Sequence, residues 1–556
     1  MILFKRSVLM VALATASLAS VGQNSVKVPN GWHLQDKSGT GFYGISLDKA
    51  YDFVKGKKSQ TVIVAVIDSG IDTTHEDLKP ILWTNPKEVP GNGIDDDGNG
   101  YIDDVHGWNF LGGRDGRNVK QDSYEAARVY HMFKAQFEGV TDPSQLSAKD
   151  QELYKTWKRA EGDVVKGVDQ TELIFLKKLY PGLIKGDSVI AADLQKEEYS
   201  GKDLQGYKAT NPDAIATKNI ILSICAANNN NFDITNKMLI DDIESQLRKA
   251  EAADTPPRNF RGEIVQDNEN DINDKFYGNN DIMANTPFHG THVSGIIGAV
   301  RNNGKGIDGI ADNVRIMTLR AVPDGDEHDK DIALAIRYAV DNGAKIINMS
   351  FGKSFSPQKH WVDDAVKYAE SKGVLLIHAA GNDAKNLDKG FNFPNANLEA
   401  DGKKASNWLT IGASGDPQNG GLTASFSNYG KSEVDVFAPG VNIYSTIPGG
   451  NTYGNASGTS MASPVTAGVA AFILQYYPQL SPQQLKEVLE KSAVKPSTKV
   501  PVPGTDEEME LSELSRTGGL VNAFEAAKLA ETMTSKNKAE KKPQPKKMKV
   551  KKAVRN

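Results

Sequence analysis

Three short motifs carry the side chains of this chain that could do chemistry. VIDSG, HGTHVSG and GTSMASP occur in that order and hold Asp68, His289 and Ser460. An aspartate, a histidine and a serine together turn a hydroxyl, which is a weak nucleophile, into one that attacks acyl carbons near neutral pH. In that chemistry Ser460 attacks, His289 moves the proton, and Asp68 holds the imidazole in the correct tautomer. The motifs therefore predict an acyl-transfer site.

The histidine motif can also be interpreted as a metal site. His289 and His292 could both bind zinc, but zinc-binding helices place two histidines four residues apart with a glutamate between them. Here the spacing is three, with Gly290 and Thr291 between the histidines. We therefore set zinc aside and expect His292 to be structural.

The elements that must position these residues alternate between two kinds. Continuous apolar runs predict strands that are buried on both faces, and the stretches between them have helical spacing. This alternation predicts a parallel sheet covered by helices on both sides, whose active site lies at the carboxyl ends of the strands. Asp68 directly follows one apolar run, and Asn382 follows another. The apolar runs are 61–67, 314–322, 345–349, 374–379, 409–413 and 434–437.

Taken together, the three motifs and their order resemble the subtilisin-like serine proteases. The resemblance covers roughly residues 45–114 and 278–527. It implies an α/β fold with a doubly wound parallel sheet of subtilisin type. It also implies an endopeptidase that hydrolyses peptide bonds by a Ser-His-Asp triad through an acyl-enzyme intermediate.

The resemblance further implies an oxyanion donor and a groove that binds polypeptide substrates in an extended conformation. Asn382 in HAAGND matches the family's AAGN element, although taken alone it could be a turn residue after a glycine. Phe351 stands where the family usually has leucine and should narrow the adjoining subsite. The groove residues implied are Ser350, Phe351 and Gly352 on one wall and Ala379, Ala380 and Gly381 on the other.

A separate motif, DDDGNGYIDD at 95–104, predicts a structural calcium site. Its oxygen-bearing residues alternate as they do in a calcium-binding loop, with a glycine at the turn and a backbone carbonyl at the seventh position. The glutamate usual at the twelfth position is absent, because His106 stands there. The other interpretation is an acidic turn rich in Asn-Gly and Asp-Gly. The predicted ligands are Asp95, Asp97, Asn99, Tyr101 and Asp103.

The chain departs from the family in one long segment, residues 119–267, which separates the aspartate and histidine motifs. Its apolar residues recur at helical spacing, so we predict a mainly α-helical insertion. Its ends should lie near the active site, because one triad member precedes it and another follows it. The predicted organisation is a signal peptide at 1–22, a catalytic domain at 40–118 and 268–530, the insertion at 119–267, and a basic disordered tail at 531–556.

The N-terminus predicts export, to the medium or to the periplasm and cell envelope. Lys5 and Arg6 precede a short apolar run, and small residues at 17 and 19 suit cleavage. Cys225 is the single cysteine of the sequence, so no intrachain disulfide can form. Its apolar neighbours predict a buried thiol rather than a reactive one. An exported chain without disulfides needs stability from elsewhere, and calcium is one source.

The net charge of −5 hides a strong asymmetry. Residues 536–556 carry ten Lys or Arg and one Glu, a net charge of +9 that leaves −14 for the rest of the chain. This low-complexity tail could contact acidic surfaces. We expect no specific nucleic-acid partner and a monomeric protein.

Two other functions remain open from the sequence. A catalytically silent, calcium-bound scaffold would use the fold for interaction alone, and the intact Asp68, His289, Ser460 and Asn382 argue against it. A serine esterase would share the triad. A strand that pairs with a peptide backbone, as residues 350–352 resemble, favours a protease over an esterase.

Overall fold

The computed structural model describes residues 28–166, 170–227, 232–285, 287–416 and 419–540. The predicted signal peptide lies outside these residues. The strands are β1 (Val62–Asp68), β2 (Gly107–Asn109), β3 (Val314–Arg320), β4 (Ile346–Met349), β5 (Leu375–Ala379), β6 (Asn397–Leu398), β7 (Lys403–Lys404), β8 (Trp408–Asp416), β9 (Asn419–Thr423), β10 (Val436–Pro439), β11 (Ile443–Ile447), β12 (Thr452–Ala456), β13 (Val500–Pro501) and β14 (Glu508–Met509).

Long helices alternate with these strands. The α-helices are α1 (Lys37–Thr40), α2 (Leu47–Val54), α3 (Glu125–Phe137), α4 (Ala148–Glu161), α5 (Gln170–Leu194), α6 (Gly201–Gly206), α7 (Pro212–Ala227), α8 (Asn236–Glu251), α9 (Phe260–Ile264), α10 (Phe288–Gly298), α11 (Asp329–Asp341), α12 (Lys359–Ser371), α13 (Thr459–Tyr476), α14 (Pro482–Lys491) and α15 (Ala523–Glu540).

The main sheet of the described residues has eight strands. Seven run parallel in the order β10, β8, β5, β4, β1, β3, β2, and β9 pairs antiparallel with β8. The six predicted apolar runs are all strands of this sheet. Side chains alternate between its faces: Val64 and Val66 of β1 join one apolar cluster, and Ala65 and Ile67 join another. Helices α10 and α13 cover the first face and α11 and α12 the second, so the predicted doubly wound α/β fold is confirmed.

Residues 119–267 form the helices α3 to α9, and most of them pack around two apolar cores of their own. One core, which includes Leu183, Ile221 and Leu239, contains residues of this segment alone. The other core includes Tyr130 and Trp157 of this segment together with Phe355 of the catalytic domain. Cys225 is buried in the first core, and burial raises the pKa of its thiol to about 11. This segment is called the insertion below, and its Val119 and Val265 join the apolar cluster on the second face of the sheet.

The C-terminal end differs from the prediction. Helix α15 runs ten residues into the stretch predicted to be disordered, because Ala530 and Thr534 are buried against the catalytic domain. Residues 541–556 lie outside the described part. At the other end, Trp32 is buried in the core although the predicted domain began at residue 40. No helix in the described ranges has the length and apolar character needed to cross a membrane.

Candidate active site

Asp68 and His289 form a hydrogen-bonded pair at the carboxyl end of β1. The Nδ1 atom of His289 lies 2.8 and 2.9 Å from the two carboxylate oxygens of Asp68. A carboxylate only accepts hydrogen bonds, so Nδ1 carries the proton and Nε2 presents a lone pair. Asp68 is buried and also accepts from the Ser69 backbone N–H at 2.7 Å, which fixes its rotamer. The imidazole is therefore held as a base.

The histidine and the serine each occupy the second residue of a helix, α10 and α13. Helix α10 approaches the turn after β1 so closely that a Cβ on Gly290 would lie 2.0 Å from the Gly70 carbonyl oxygen. Glycine at 290 therefore permits the contact that brings His289 onto Asp68. The two helices also pack against each other.

Ser460 is anchored to the strand end of β4. Its Oγ donates to the Ser350 carbonyl oxygen at 3.0 Å, and the Ser350 hydroxyl donates back to the Ser460 carbonyl oxygen at 2.9 Å. The hydrogen bond that the structure gives to the Ser460 hydroxyl thus goes to Ser350, whereas the sequence predicted His289 as its acceptor. Rotation about the Cα–Cβ bond redirects the hydroxyl, and catalytic hydrogen bonds are often formed only once substrate is bound.

Asn382 follows β5 across a two-residue link, and its orientation is fixed by the residue before the serine. Its Oδ1 accepts from both the backbone N–H and the hydroxyl of Thr459, each at 2.8 Å. The amide nitrogen consequently points the other way. A Cβ on Gly458 would lie 3.7 Å from Asn382 Nδ2 and 3.7 Å from Ser460 Cβ, so this donor faces the serine.

The residues predicted as groove walls follow the adjacent strands β4 and β5, which pair in parallel. Asn392, which sequence reasoning missed, sits between the walls. Its Nδ2 donates to the carbonyl oxygens of Ala380 at 3.0 Å and Ala379 at 3.3 Å. Its Oδ1 lies 2.6 Å from where a Cβ on Gly352 would stand. Asn392 therefore limits the depth of the space between the walls, and Phe351 packs edge-on against His378 beside it.

His292 lies one turn below His289 and is fully buried. Its Nε2 donates to the Gly454 carbonyl oxygen at 3.1 Å. Burial lowers the pKa of His292 to about 4, so the ring is neutral at neutral pH. These contacts agree with the expectation that it is structural.

The acidic loop brings together only part of the predicted calcium set. Carboxylate oxygens of Asp95 and Asp97 lie within 4.8 Å of each other and of Glu88, a residue that the spacing did not predict. Asp103 instead accepts backbone N–H groups of residues 91–93, because a carboxylate at a turn satisfies such donors. Asn99 donates to Asp104 at 2.9 Å. The Tyr101 ring packs against aromatic neighbours.

Comparison with known proteins places this arrangement in a family. A model of the subtilase family (Peptidase_S8) matches residues 59–514, most of the chain. The chain belongs to the subtilase family. This subtilase is 45% identical over 186 residues to the thermophilic serine proteinase of Bacillus sp. (strain AK1), covering 33% of this chain and 42% of that protein.

Two further relatives of this subtilase differ in how much of their length the match covers. It is 36% identical to subtilisin DY of Bacillus licheniformis, over 37% of this chain and 70% of the relative. It is 34% identical to the cell wall-associated protease of Bacillus subtilis (strain 168), over 40% of this chain and 23% of the relative. The matched part thus spans less than half of two of these three relatives.

Proposed function

We propose that this subtilase is an exported serine endopeptidase that hydrolyses peptide bonds through an acyl-enzyme intermediate. The observation that carries the proposal is the hydrogen bond of His289 to Asp68, with His289 on a helix that packs against the helix in which Ser460 is the second residue. Asn382 adds a fixed amide donor beside the same serine. One relative is a serine proteinase by name and another a protease by name, which supports the reaction class.

The same side chains act in both halves of the reaction, the acylation of Ser460 and the hydrolysis of the acyl-enzyme. Ser460 Oγ attacks the substrate carbonyl while its proton passes to His289 Nε2, and Asp68 stabilises the imidazolium. The oxyanion accepts hydrogen bonds from Asn382 Nδ2 and from the Ser460 backbone N–H, which as a first-turn group has no partner within its helix. His289 then protonates the leaving amine as the C–N bond breaks. Water, deprotonated by the same histidine, releases the acid.

The groove defines the substrate class. Strand ends such as residues 350–352 pair with an extended backbone through main-chain groups and read little of its sequence. Asn392 shortens the first specificity pocket between the walls, so we propose that the enzyme disfavours the largest side chains at that subsite. The adjoining Phe351 narrows the neighbouring subsite.

Labelling with a fluorophosphonate tests the proposal. Such probes modify a serine only when its base and oxyanion donors are in place. We expect labelling of the wild-type protein and none of the Ser460→Ala variant. A wild-type protein that stays unlabelled would establish the catalytically silent scaffold instead. Turnover of a short ester without turnover of a peptide of equal length would establish an esterase.

We also propose that calcium stabilises the fold at Glu88, Asp95 and Asp97. Three carboxylates are the hard oxygen donors that calcium prefers. Glu88 Oε2 is buried without a hydrogen-bond partner among the described residues, as expected for an atom that a cation satisfies. Chelation should lower the melting temperature of the Ser460→Ala variant, which cannot digest itself, since calcium at 100 times its Kd contributes about 2.7 kcal/mol. A Glu88→Gln variant should lose most of this response.

We propose that residues 1–22 are a signal peptide for export and that the basic tail contacts acidic surfaces of the cell envelope. The support is the basic, apolar and small-residue order at 1–22 and the charge of +9 over 536–556. N-terminal sequencing of the secreted protein would test the first, and binding of the full chain to anionic vesicles at two salt concentrations would test the second. A protein retained with its first residues intact would contradict export.

A further inference from the structure

Helix α8 of the insertion is tied at both ends to the catalytic domain, and the two ties lie on opposite sides of the nucleophile. Its C-terminal half meets the rim that borders the acyl side of the groove. The segment just before its start meets the rim on the leaving-group side. The two ties have separate evidence.

The acyl-side tie is a pairing of backbones reinforced by charge. Asp324, which follows β3, donates its N–H to the Lys120 carbonyl at 2.9 Å and accepts the Asp122 N–H at 2.9 Å. Arg248 of α8 donates to the Asp324 carboxylate at 2.6 Å. Three residues on, the Glu327 carbonyl accepts from Lys353 Nζ at 2.8 Å, and Lys353 adjoins groove residue 352. The tie therefore borders the acyl side.

Both segments that connect the insertion to the catalytic domain are held by hydrogen bonds at this same rim. His328 is buried, with Nε2 3.0 Å from the Asp122 carboxylate at the start of the insertion. Its Nδ1 lies 2.8 Å from the Glu269 carboxylate just past the end of the insertion. One imidazole thus joins the two connections, and the insertion is held at a fixed angle to the groove.

The leaving-group tie depends on one carboxylate. Asp233 Oδ2 accepts the backbone N–H of Asn455 at 3.2 Å and its side-chain amide at 3.1 Å, and Lys202 pairs with the other oxygen. Asn455 lies on β12 beside Gly454, whose carbonyl accepts from His292 on the helix of His289. Because the leaving amine takes its proton from His289, it departs on this side.

We propose that α8 is a wall along the substrate groove that admits an extended polypeptide and excludes folded protein, with Asp233 as the specificity-determining residue that keeps it in place. This rests on the proposed endopeptidase function. The 16 residues of α8 span about 24 Å, the length of roughly seven residues of extended chain. The wall leaves the centre open, since the His289 side chain remains 33% exposed.

The first experiment compares three substrates: a tetrapeptide anilide, native ribonuclease A, and the same ribonuclease reduced and alkylated. Asp233→Asn should raise kcat/KM on the native protein about tenfold, because losing a charge-assisted bond frees the wall to move aside. The peptide and the unfolded protein should change less than about twofold, since they already fit. The matched control is Asp193→Asn, an exposed carboxylate that accepts from Tyr207 within the insertion.

A second variant fixes the wall reversibly. Asp233 Cβ lies 3.4 Å from where a Cβ on Gly454 would stand, close to the ~3.5–4.5 Å that disulfides bridge. The Asp233→Cys, Gly454→Cys protein should leave native ribonuclease uncleaved when the enzyme is oxidised, and should cleave it when the enzyme has been reduced and the reductant removed by gel filtration before the substrate is added. The native Cys225 lies close enough to Asp233 for the two to interact electrostatically, so the pair is built in a Cys225→Ala background.

The outcomes separate the two proposals. A wild-type protein that cleaves none of the substrates and takes no fluorophosphonate refutes the proposed function itself. Wild-type activity that is equal on native and unfolded ribonuclease overturns the wall. So does an Asp233→Asn protein whose preference is unchanged, or a cysteine pair whose preference ignores its redox state.

Discussion

The catalytic centre and the insertion are held in place by different forces. Asp68, Ser460 and Asn382 are oriented by short hydrogen bonds to neighbouring backbone and hydroxyl groups, on elements that pack through apolar side chains. Buried ion pairs attach the insertion, such as Glu125 with Lys353 at 2.8 Å and Arg261 with Asp331 at 2.7 Å. It has its own apolar cores, and Val119 and Val265 near its two ends join the apolar cluster of the catalytic domain.

The contrast shows that apolar packing and buried ion pairs have different roles: packing holds elements together, and ion pairs fix their relative orientation. Apolar packing is insensitive to direction, so the catalytic centre needs hydrogen bonds only for the last adjustment of each side chain. Buried ion pairs contribute little net stability but penalise any arrangement that leaves a charge unpaired. The insertion is therefore set at one angle by charges whose loss would release it as a unit.

The largest effect should come from the catalytic centre. Asp68→Asn preserves the shape of the side chain but turns one acceptor into a donor, so His289 is held in the wrong tautomer. We expect kcat to fall about 10⁴-fold, the magnitude known for this change in a serine protease. Melting temperature should hardly move. A variant that loses activity only through lower stability would mean that Asp68 is structural.

Breaking the charged joint should destabilise the insertion selectively. Lys353→Met leaves Asp329 buried without its cation and leaves Glu125 with Arg128 alone, and removing one partner of a buried ion pair costs about 3–5 kcal/mol. We expect backbone amides to exchange hydrogen faster in α3 and in the two segments that connect the insertion to the catalytic domain, before exchange becomes faster in β1. Lys155→Met, which breaks an exposed pair with Glu152, is the control and should cost under about 1 kcal/mol. Equal protection in both variants would contradict the charged attachment.

The oxyanion donor should act on the rate and spare binding. Asn382→Ala should lower kcat by ~10²–10³ with KM nearly unchanged, a magnitude carried over from subtilisin. Steady-state kinetics on one peptide substrate measures both constants. Thr459→Val should reproduce part of the loss because it removes a bond that orients the amide, and Thr459→Ser should restore it. A rise in KM alone would make Asn382 a substrate-positioning residue.

Acid should weaken the packing beside the catalytic centre. His292 has a folded-state pKa of about 4, below the ~6.5 of an unfolded histidine, so only the unfolded chain gains a proton between these values. The contribution of His292 to stability is complete above pH ~6.5 and should fall by about 3 kcal/mol as pH drops towards 4. Urea unfolding of Ser460→Ala at several pH values checks this. His292→Gln should reduce the slope of unfolding free energy against pH by the equivalent of about one proton. An unchanged slope would refute the lowered pKa of His292.

The sequence predicted much of the fold and of the central chemistry, for a local reason. Apolar runs define the strands, and residues that directly follow a parallel strand must lie at its carboxyl edge, as Asp68 and Asn382 do. Ser481 and Gln484, three residues apart in the sequence, likewise form the capping box with which α14 begins. In each case the signal and the residue are a few positions apart.

The missed residues depend on distant partners. Asn392 limits the pocket only because two strand ends converge on it, and no spacing within its loop announces that. Glu88 lies seven residues before Asp95 and joins it by the folding of the loop between them. Asp103 fitted the alternation but satisfies nearby backbone N–H groups, a competition that a ligand pattern cannot reveal.

The pairing of β1 with β3 has a consequence for how the chain folds. Val62 pairs with Val314, so the central sheet closes a loop of about 250 residues, which slows folding. The insertion has a core made only of its own residues, and its two connections meet at His328. Once that core, whose buried members lie between Leu176 and Ile243, has formed, the flexible loop shrinks to about 180 residues and its closure cost falls by about 0.3 kcal/mol. An element that restricts substrates in the finished protein thereby shortens the search that builds the sheet.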